Sequence, residues 1–287
     1  CEIEEGATVS VKLDHTLIGI WAGHYEQHGE LTSPTLILIH GWSGSRRYFD
    51  LNVKDLARVC CVYAVDLRFH GESDKPSHGF HVHRLAADLN DLLTHLQLTT
   101  KPVVLGSSLG CAVIWAYVEL YGDEALGKCI FVDQAPSQWA LPDWSLGSKG
   151  IYDAASLANI QAALGDMSAF ADGNAECCLS IPPSAEVLAV LKAETLKCDP
   201  QILGKLMADH APKDWRAVLK RITVPCLNLY GTKSGCFPEA GCAAVGELIP
   251  DCRNQPFDGC NHWLYLEAPT LFNEIVATFV AVDHRQQ

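Results

Sequence analysis

The run Gly106-Ser107-Ser108-Leu109-Gly110 has the form G-x-S-x-G. A short apolar stretch, Pro102 to Leu105, stops just before it, and a longer one follows to about Tyr121. That is the strand, sharp turn and helix that such a serine needs in order to act as a nucleophile. A bend this tight pushes one side chain out at the C-terminal edge of a sheet. It also crowds its own backbone, so the residues two before and two after must be small, as Gly106 and Gly110 are. The Ser108 hydroxyl then stands at a helix N-terminus, whose dipole favours developing negative charge. Ser107 is the other hydroxyl in the run, but it lacks the symmetric glycines. A serine needs an adjacent base near neutrality. Of the 12 histidines, His262 stands apart, because it falls between the final strand-like run and the terminal helix. The tetrahedral intermediate of acyl transfer needs two N–H donors, and the amide of Leu109, directly after the nucleophile, supplies one.

The elements that would position these groups alternate between β-rich runs and amphipathic helical patterns, as in an α/β protein with a mostly parallel sheet. Thr8 to Leu13 and Thr16 to Ala22 read as an opening hairpin. Thr35 to Ile39, Val59 to Val65, Pro102 to Leu105, Lys128 to Val132, Val224 to Tyr230 and Cys252 to Phe257 read as strands. Several are continuously apolar, as strands buried on both faces are. Val82 to Leu96 carries Val82, Leu85, Ala86, Leu89, Leu92, Leu93 and Leu96 on one helical stripe. Pro269 to about Val280 is the terminal helix. Between Pro136 and Asp214 the β-rhythm stops and the pattern turns helical, over a length no plain connection has in a compact domain. Residues 136–214 are therefore expected to form a helical cap inserted into a core of 1–135 and 215–287. Its aromatic residues, Trp139 and Trp144 among them, are candidates to line a substrate pocket together with Trp42, or equally to form the cap's own core.

In this combination and order the chain resembles the α/β-hydrolase superfamily over nearly its whole length. The resemblance rests on His40-Gly41-Trp42, on Asp66-Leu67-Arg68-Phe69-His70-Gly71-Glu72-Ser73, on the turn at Ser108 and on Gly259-Cys260-Asn261-His262. It is strongest to the capped esterase and cofactor-free haloperoxidase-like branch. It implies an eight-stranded, mostly parallel sheet flanked by helices, with His262 as general base and then general acid. It also implies that the Trp42 amide is the second oxyanion donor. The Asp66 to Ser73 segment is expected to brace the loops around the site.

The acid departs from the superfamily's usual pattern. Most members carry it as G-x-x-D after the seventh strand, where this chain reads Gly231-Thr232-Lys233-Ser234. A hydroxyl cannot hold an imidazolium by charge. Some members place the acid after the sixth strand instead, which here ends at Asp133. Asp133 is the expected acid, in the order Ser108, Asp133, His262, with Asp258 and Glu239 as rivals. The implied activity is hydrolysis of a carboxylic ester, thioester or lactone through an acyl-enzyme. Amide or C–C cleavage, acyl transfer, perhydrolysis and a non-catalytic receptor role are the alternatives.

Composition narrows the partners. Of 287 residues, 48% are hydrophobic and 19% charged, as in a packed globular protein, and the net charge of −13 with no basic run argues against nucleic acid. No stretch approaches the length of a membrane span and no secretory signal is visible; the start at Cys1 rather than Met reads as a trimmed N-terminus, with a lipid-modified cysteine as the alternative. A small-molecule substrate and a monomer or homodimer are expected. The 13 cysteines include the adjacent pairs Cys60–Cys61 and Cys177–Cys178, while Cys60, Cys61, Cys111, Cys129 and Cys226 sit in apolar segments. That usage points to free thiols in a reducing compartment, such as the cytoplasm. His78, His81 and His83 cluster without a partner at ligand spacing, and Cys236, Cys242, Cys252 and Cys260 lack zinc-site spacing. No metal and no organic cofactor are expected.

Overall fold

Strand alternation sorts the core onto two faces of one sheet. In β3 (Thr35–Ile39), Ile37 and Ile39 point to one side and Leu36 and Leu38 to the other. β4 (Cys61–Asp66) and β6 (Lys128–Val132) divide in the same way, with Tyr63 and Phe131 on the first side and Val62 and Ile130 on the second. Residues two apart share a face of a strand, so a continuously apolar strand must be covered on both sides.

The computed structural model describes residues 9–12 and 23–282. Its sheet has eight strands in the order β1-β2-β4-β3-β5-β6-β7-β8. The other five are β1 (Val9–Lys12), β2 (His24–His28), β5 (Val103–Ser107), β7 (Cys226–Gly231) and β8 (Cys252–Phe257). β2 runs antiparallel to β1 and β4, and every later pairing is parallel. The second arm of the expected hairpin, Thr16 to Ala22, lies outside the described residues.

The first face is covered by α2 (Val82–Leu96), α3 (Leu109–Tyr121) and α8 (Arg216–Leu219), and the second by α1 (Asp50–Leu56), α10 (Leu264–Glu267) and α11 (Pro269–Ala281). The α2 stripe is buried at Val82, Leu85, Ala86, Leu89 and Leu92, while Leu93 and Leu96 are half-buried against the same core. Asp88 is buried on the same helix because the Arg68 guanidinium donates to both of its carboxylate oxygens at 2.6 Å. α3 is buried all round from Leu109 to Val118, so the long apolar run is a core helix. α9 (Glu239–Leu248) lies between β7 and β8.

Between β6 and β7 the chain adds four longer helices: α4 (Ala154–Ala163), α5 (Met167–Cys178), α6 (Ala185–Leu196) and α7 (Pro200–His210). An antiparallel bridge between Ser137 and Asp214 ties the start of this insertion to its end. Among the described residues no helix is long and apolar enough to cross a membrane, and the cysteines from Cys60 to Cys260 are all free thiols.

Candidate active site

Ser108 sits between β5 and α3 with φ at +53°, a left-handed conformation that costs a non-glycine residue free energy. The bend is held by its surroundings. The Ser108 N–H donates to the Val132 carbonyl at 2.9 Å, which anchors the turn to the end of β6. A Cβ at Gly106 would collide with the Gly110 carbonyl, and one at Gly110 with the Ile39 carbonyl. Both glycines are thus needed for the close approach that the G-x-S-x-G spacing anticipates.

The next strand end supplies the carboxylate. Asp133 follows β6, again with a left-handed φ of +47°, and is fully buried. Its Oδ2 accepts the Gly231 N–H at 2.9 Å. Its Oδ1 accepts the Ser234 hydroxyl at 2.8 Å and faces His262 Nδ1 at 2.9 Å. With the carboxylate as acceptor, His262 carries its proton on Nδ1 and leaves Nε2 as the basic nitrogen. Burial pushes the His262 pKa down, but negative charge on the Cys236 sulfur and the Asp133 carboxylate outweighs it, and the net shift is upward. The His262 N–H donates to Asn261 Oδ1 at 2.7 Å, and the Phe237 ring lies 5.8 Å from the imidazole. Asp258 and Glu239, the rival carboxylates, are both exposed, and Asp258 engages Thr232.

Ser108 and His262 both line a cavity of ≈ 720 Å³. Leu109 is the first residue of α3, so its N–H belongs to the set that no helical carbonyl takes up. The loop after β3 presses on the serine, since a Cβ at Gly41 would stand 3.1 Å from Ser108 Cβ. The Trp42 amide follows directly in the chain. The Trp42 side chain lines the cavity, stacks edge-on against Phe170 of α5 at 5.5 Å and donates its indole N–H to the Leu203 carbonyl of α7 at 3.1 Å.

The other two tryptophans expected in the pocket lie outside its lining. Gln138 takes the cavity side, and Trp139 packs behind it against Ile151, Met207 and Ala211. Trp144 lies beneath the Arg216 guanidinium, 5.5 Å from its ring centre, and donates to the Ser137 carbonyl. Both are packing residues. The apolar lining comes instead from Phe170, Ile151, Ile160 and Met207.

The Asp66 to Ser73 segment braces the site from behind. Asp66 accepts from the Arg46 backbone and guanidinium at 2.8 Å, and burial, which would raise its carboxyl, is outweighed first by the His24 side chain 3.3 Å away and then by His40 and Arg46, so the carboxyl is held well below the usual carboxylate range. His70 Nε2 accepts the Ser43 N–H at 3.2 Å, and His40 Nε2 accepts the Leu67 N–H at 3.0 Å. Three thiols, Cys177, Cys178 and Cys236, also line the cavity. Sequence spacing gave no sign of them as a group.

A family model described as alpha/beta hydrolase fold matches residues 34–269. A pimeloyl-[acyl-carrier protein] methyl ester esterase of Vibrio parahaemolyticus is 25% identical over 245 residues, which cover 83% of this chain and 90% of that protein. Among solved structures, a bromoperoxidase from Bacillus anthracis superposes with a TM-score of 0.86 at 23% identity, over 96% of this chain and 100% of that one. An esterase from Exiguobacterium antarcticum superposes with a TM-score of 0.84 at 19% identity, over 92% and 100%. At these identities the two structures establish the fold alone.

Proposed function

The chain belongs to the alpha/beta hydrolase fold family, and from that premise we propose that it is a serine hydrolase cleaving a carboxylic ester, thioester or lactone through an acyl-enzyme. The observation that carries this reading is the 2.9 Å contact of His262 Nδ1 with Asp133 Oδ1, made by a histidine that shares one cavity with Ser108.

In this reading Nε2 of His262 takes the Ser108 proton as the oxygen attacks the substrate carbonyl. Asp133 fixes the tautomer and stabilises the imidazolium that forms. The amides of Leu109 and Trp42 hold the oxyanion, a contribution of about 3–4 kcal/mol per donor in related chemistry. The imidazolium returns its proton to the leaving alcohol or thiol. Water, deprotonated by the same nitrogen, then releases the acid. Residues 136–214 act as a cap over a core of 1–135 and 215–287, and Trp42 joins the two through its bond to Leu203. The wall of Phe170, Ile151, Ile160 and Met207 suits an apolar acyl chain. The curated relative is named for a methyl ester of an acyl chain on a carrier protein, and an ester of a small alcohol is the first substrate class to try.

A fluorophosphonate probe should label one site, mapped by peptide mass spectrometry to Ser108. A panel of p-nitrophenyl esters, thioesters and lactones should be turned over by the protein and not by Ser108→Ala. Label on another residue, or turnover that survives in Ser108→Ala, would remove the reading.

A further inference from the structure

Three thiols from two distant parts of the chain meet in the cavity wall. Cys177 and Cys178 end α5, and Cys236 lies in the loop after β7. Their Sγ atoms all fall within 4.8 Å of one another, and those of Cys178 and Cys236 are 3.7 Å apart. Sulfurs bound tetrahedrally to zinc at about 2.3 Å stand about 3.8 Å from each other. The Cys178–Cys236 pair therefore already has the length of a coordination edge. A disulfide needs the two sulfurs at about 2.0 Å, and pairing any two would leave the third thiol with no part in the arrangement.

The backbone around the thiols is built for this approach. Gly235 is packed so closely on the Cys177 carbonyl that a Cβ there would collide with it. Asn261 donates its amide N–H to the Cys177 carbonyl at 3.0 Å, while its Oδ1 accepts from the Gly235 N–H. The Trp263 N–H donates to the Cys178 carbonyl at 3.1 Å. One asparagine and one glycine thus fix the end of α5 against the loop of Cys236. Cys177 is exposed, Cys178 buried and Cys236 half-buried, which gives an ion a way in and a partly enclosed seat.

We propose that Cys177, Cys178 and Cys236 form a binding site for a thiophilic divalent metal ion, Zn²⁺, and that its occupancy shuts down the cavity. Each thiol gives up its proton to solvent as it becomes a thiolate ligand, and no electron is transferred. Three protein ligands leave one tetrahedral position for water or a neighbouring group. Cys236 and His262 line the same cavity, so the bound ion sits in the wall that also carries the proposed general base and inside the space a substrate must fill. The inhibitory consequence rests on the hydrolase reading, whereas the metal site does not.

The test uses the full chain kept reduced with a phosphine. Titration with Co²⁺ should produce the near-ultraviolet thiolate-to-cobalt charge-transfer absorption and saturate at one ion per chain. Zn²⁺ should abolish the band by displacement. Cys177→Ser combined with Cys236→Ser should weaken Co²⁺ binding at least tenfold, while Cys252→Ser should leave it unchanged. Zn²⁺ should inhibit ester turnover over the same concentration range, measured against each variant's own metal-free rate. Absence of the charge-transfer band, or its persistence in the double variant, overturns the site. A band with uninhibited turnover overturns the blocking role. A band in a protein that turns over no ester upholds the site and counts against the hydrolase reading alone.

Discussion

The Ser234 hydroxyl donates to Asp133 Oδ1 at 2.8 Å, the same oxygen that faces His262 Nδ1 at 2.9 Å. Position 234 is where α/β hydrolases usually carry their acid. The two positions, at the ends of neighbouring parallel strands, therefore converge on one point beside the imidazole. β6 and β7 pair in parallel, so their C-terminal ends open onto the same edge of the sheet. A carboxylate from either can reach the histidine, and the position without it supplies a hydrogen bond to the one that has it.

Asp133→Asn should lower kcat by about 10³–10⁴-fold, because an amide that donates to Nδ1 selects the wrong imidazole tautomer. Circular dichroism and Tm should show a folded protein. Placing Ser234→Asp in the same chain should restore at least tenfold of the lost kcat, since the new carboxylate starts within hydrogen-bonding distance of the old one. Near-normal turnover in the single variant would mean that Asp133 only anchors the loop.

Much of this geometry was legible because it is local. Lys128–Val132 has the boundaries that its apolar pattern predicts and Cys252–Phe257 those read for the last strand, and the turn at Ser108 follows from two glycines and a strand-to-helix change. The contact of Asp133 with His262 was readable because a missing carboxylate at 234 forces a search of other strand ends. The cavity wall was not readable. Trp139 and Trp144 qualified by type alone, and which of two neighbours faces inward is set by tertiary packing. The thiol group escaped notice because Cys178 and Cys236 are 58 residues apart and meet only where α5 returns to the loop after β7.

Gly106→Ala and Gly110→Ala should each destabilise the fold by at least about 2 kcal/mol, the upper part of the range for overpacking, because the new methyl strikes backbone rather than a yielding side chain. Gly173→Ala, where a Cβ meets open space in the cavity wall, is the control. Equal Tm values for all three would show that the turn does not need its glycines.

The neutral imidazole of His262 is the form that can act as base, and its pKa is raised in the folded protein. The rising limb of kcat/KM against pH should therefore have its midpoint above the ordinary histidine value of about 6.5. A midpoint below that value would show that the cavity does not favour the imidazolium.

Acid should unfold the protein through histidines that are buried neutral. His40 and His70 each use Nε2 to accept a backbone N–H, so a proton added there breaks a hydrogen bond as well as charging a buried ring. Burial pushes the His70 pKa down to about 3 and that of His210 to about 4, and lowers that of His40. The unfolded chain titrates these groups near 6.5 and so binds more protons than the folded one between that pH and the folded values. Their contribution is complete above about pH 6.5 and falls away as the pH drops towards 3. Urea midpoints measured from pH 7 to pH 4 should fall continuously over that window. His210→Gln, which keeps a polar side chain without a titrating ring, should flatten the slope between pH 6.5 and pH 4, and an unchanged slope would remove His210 from the account.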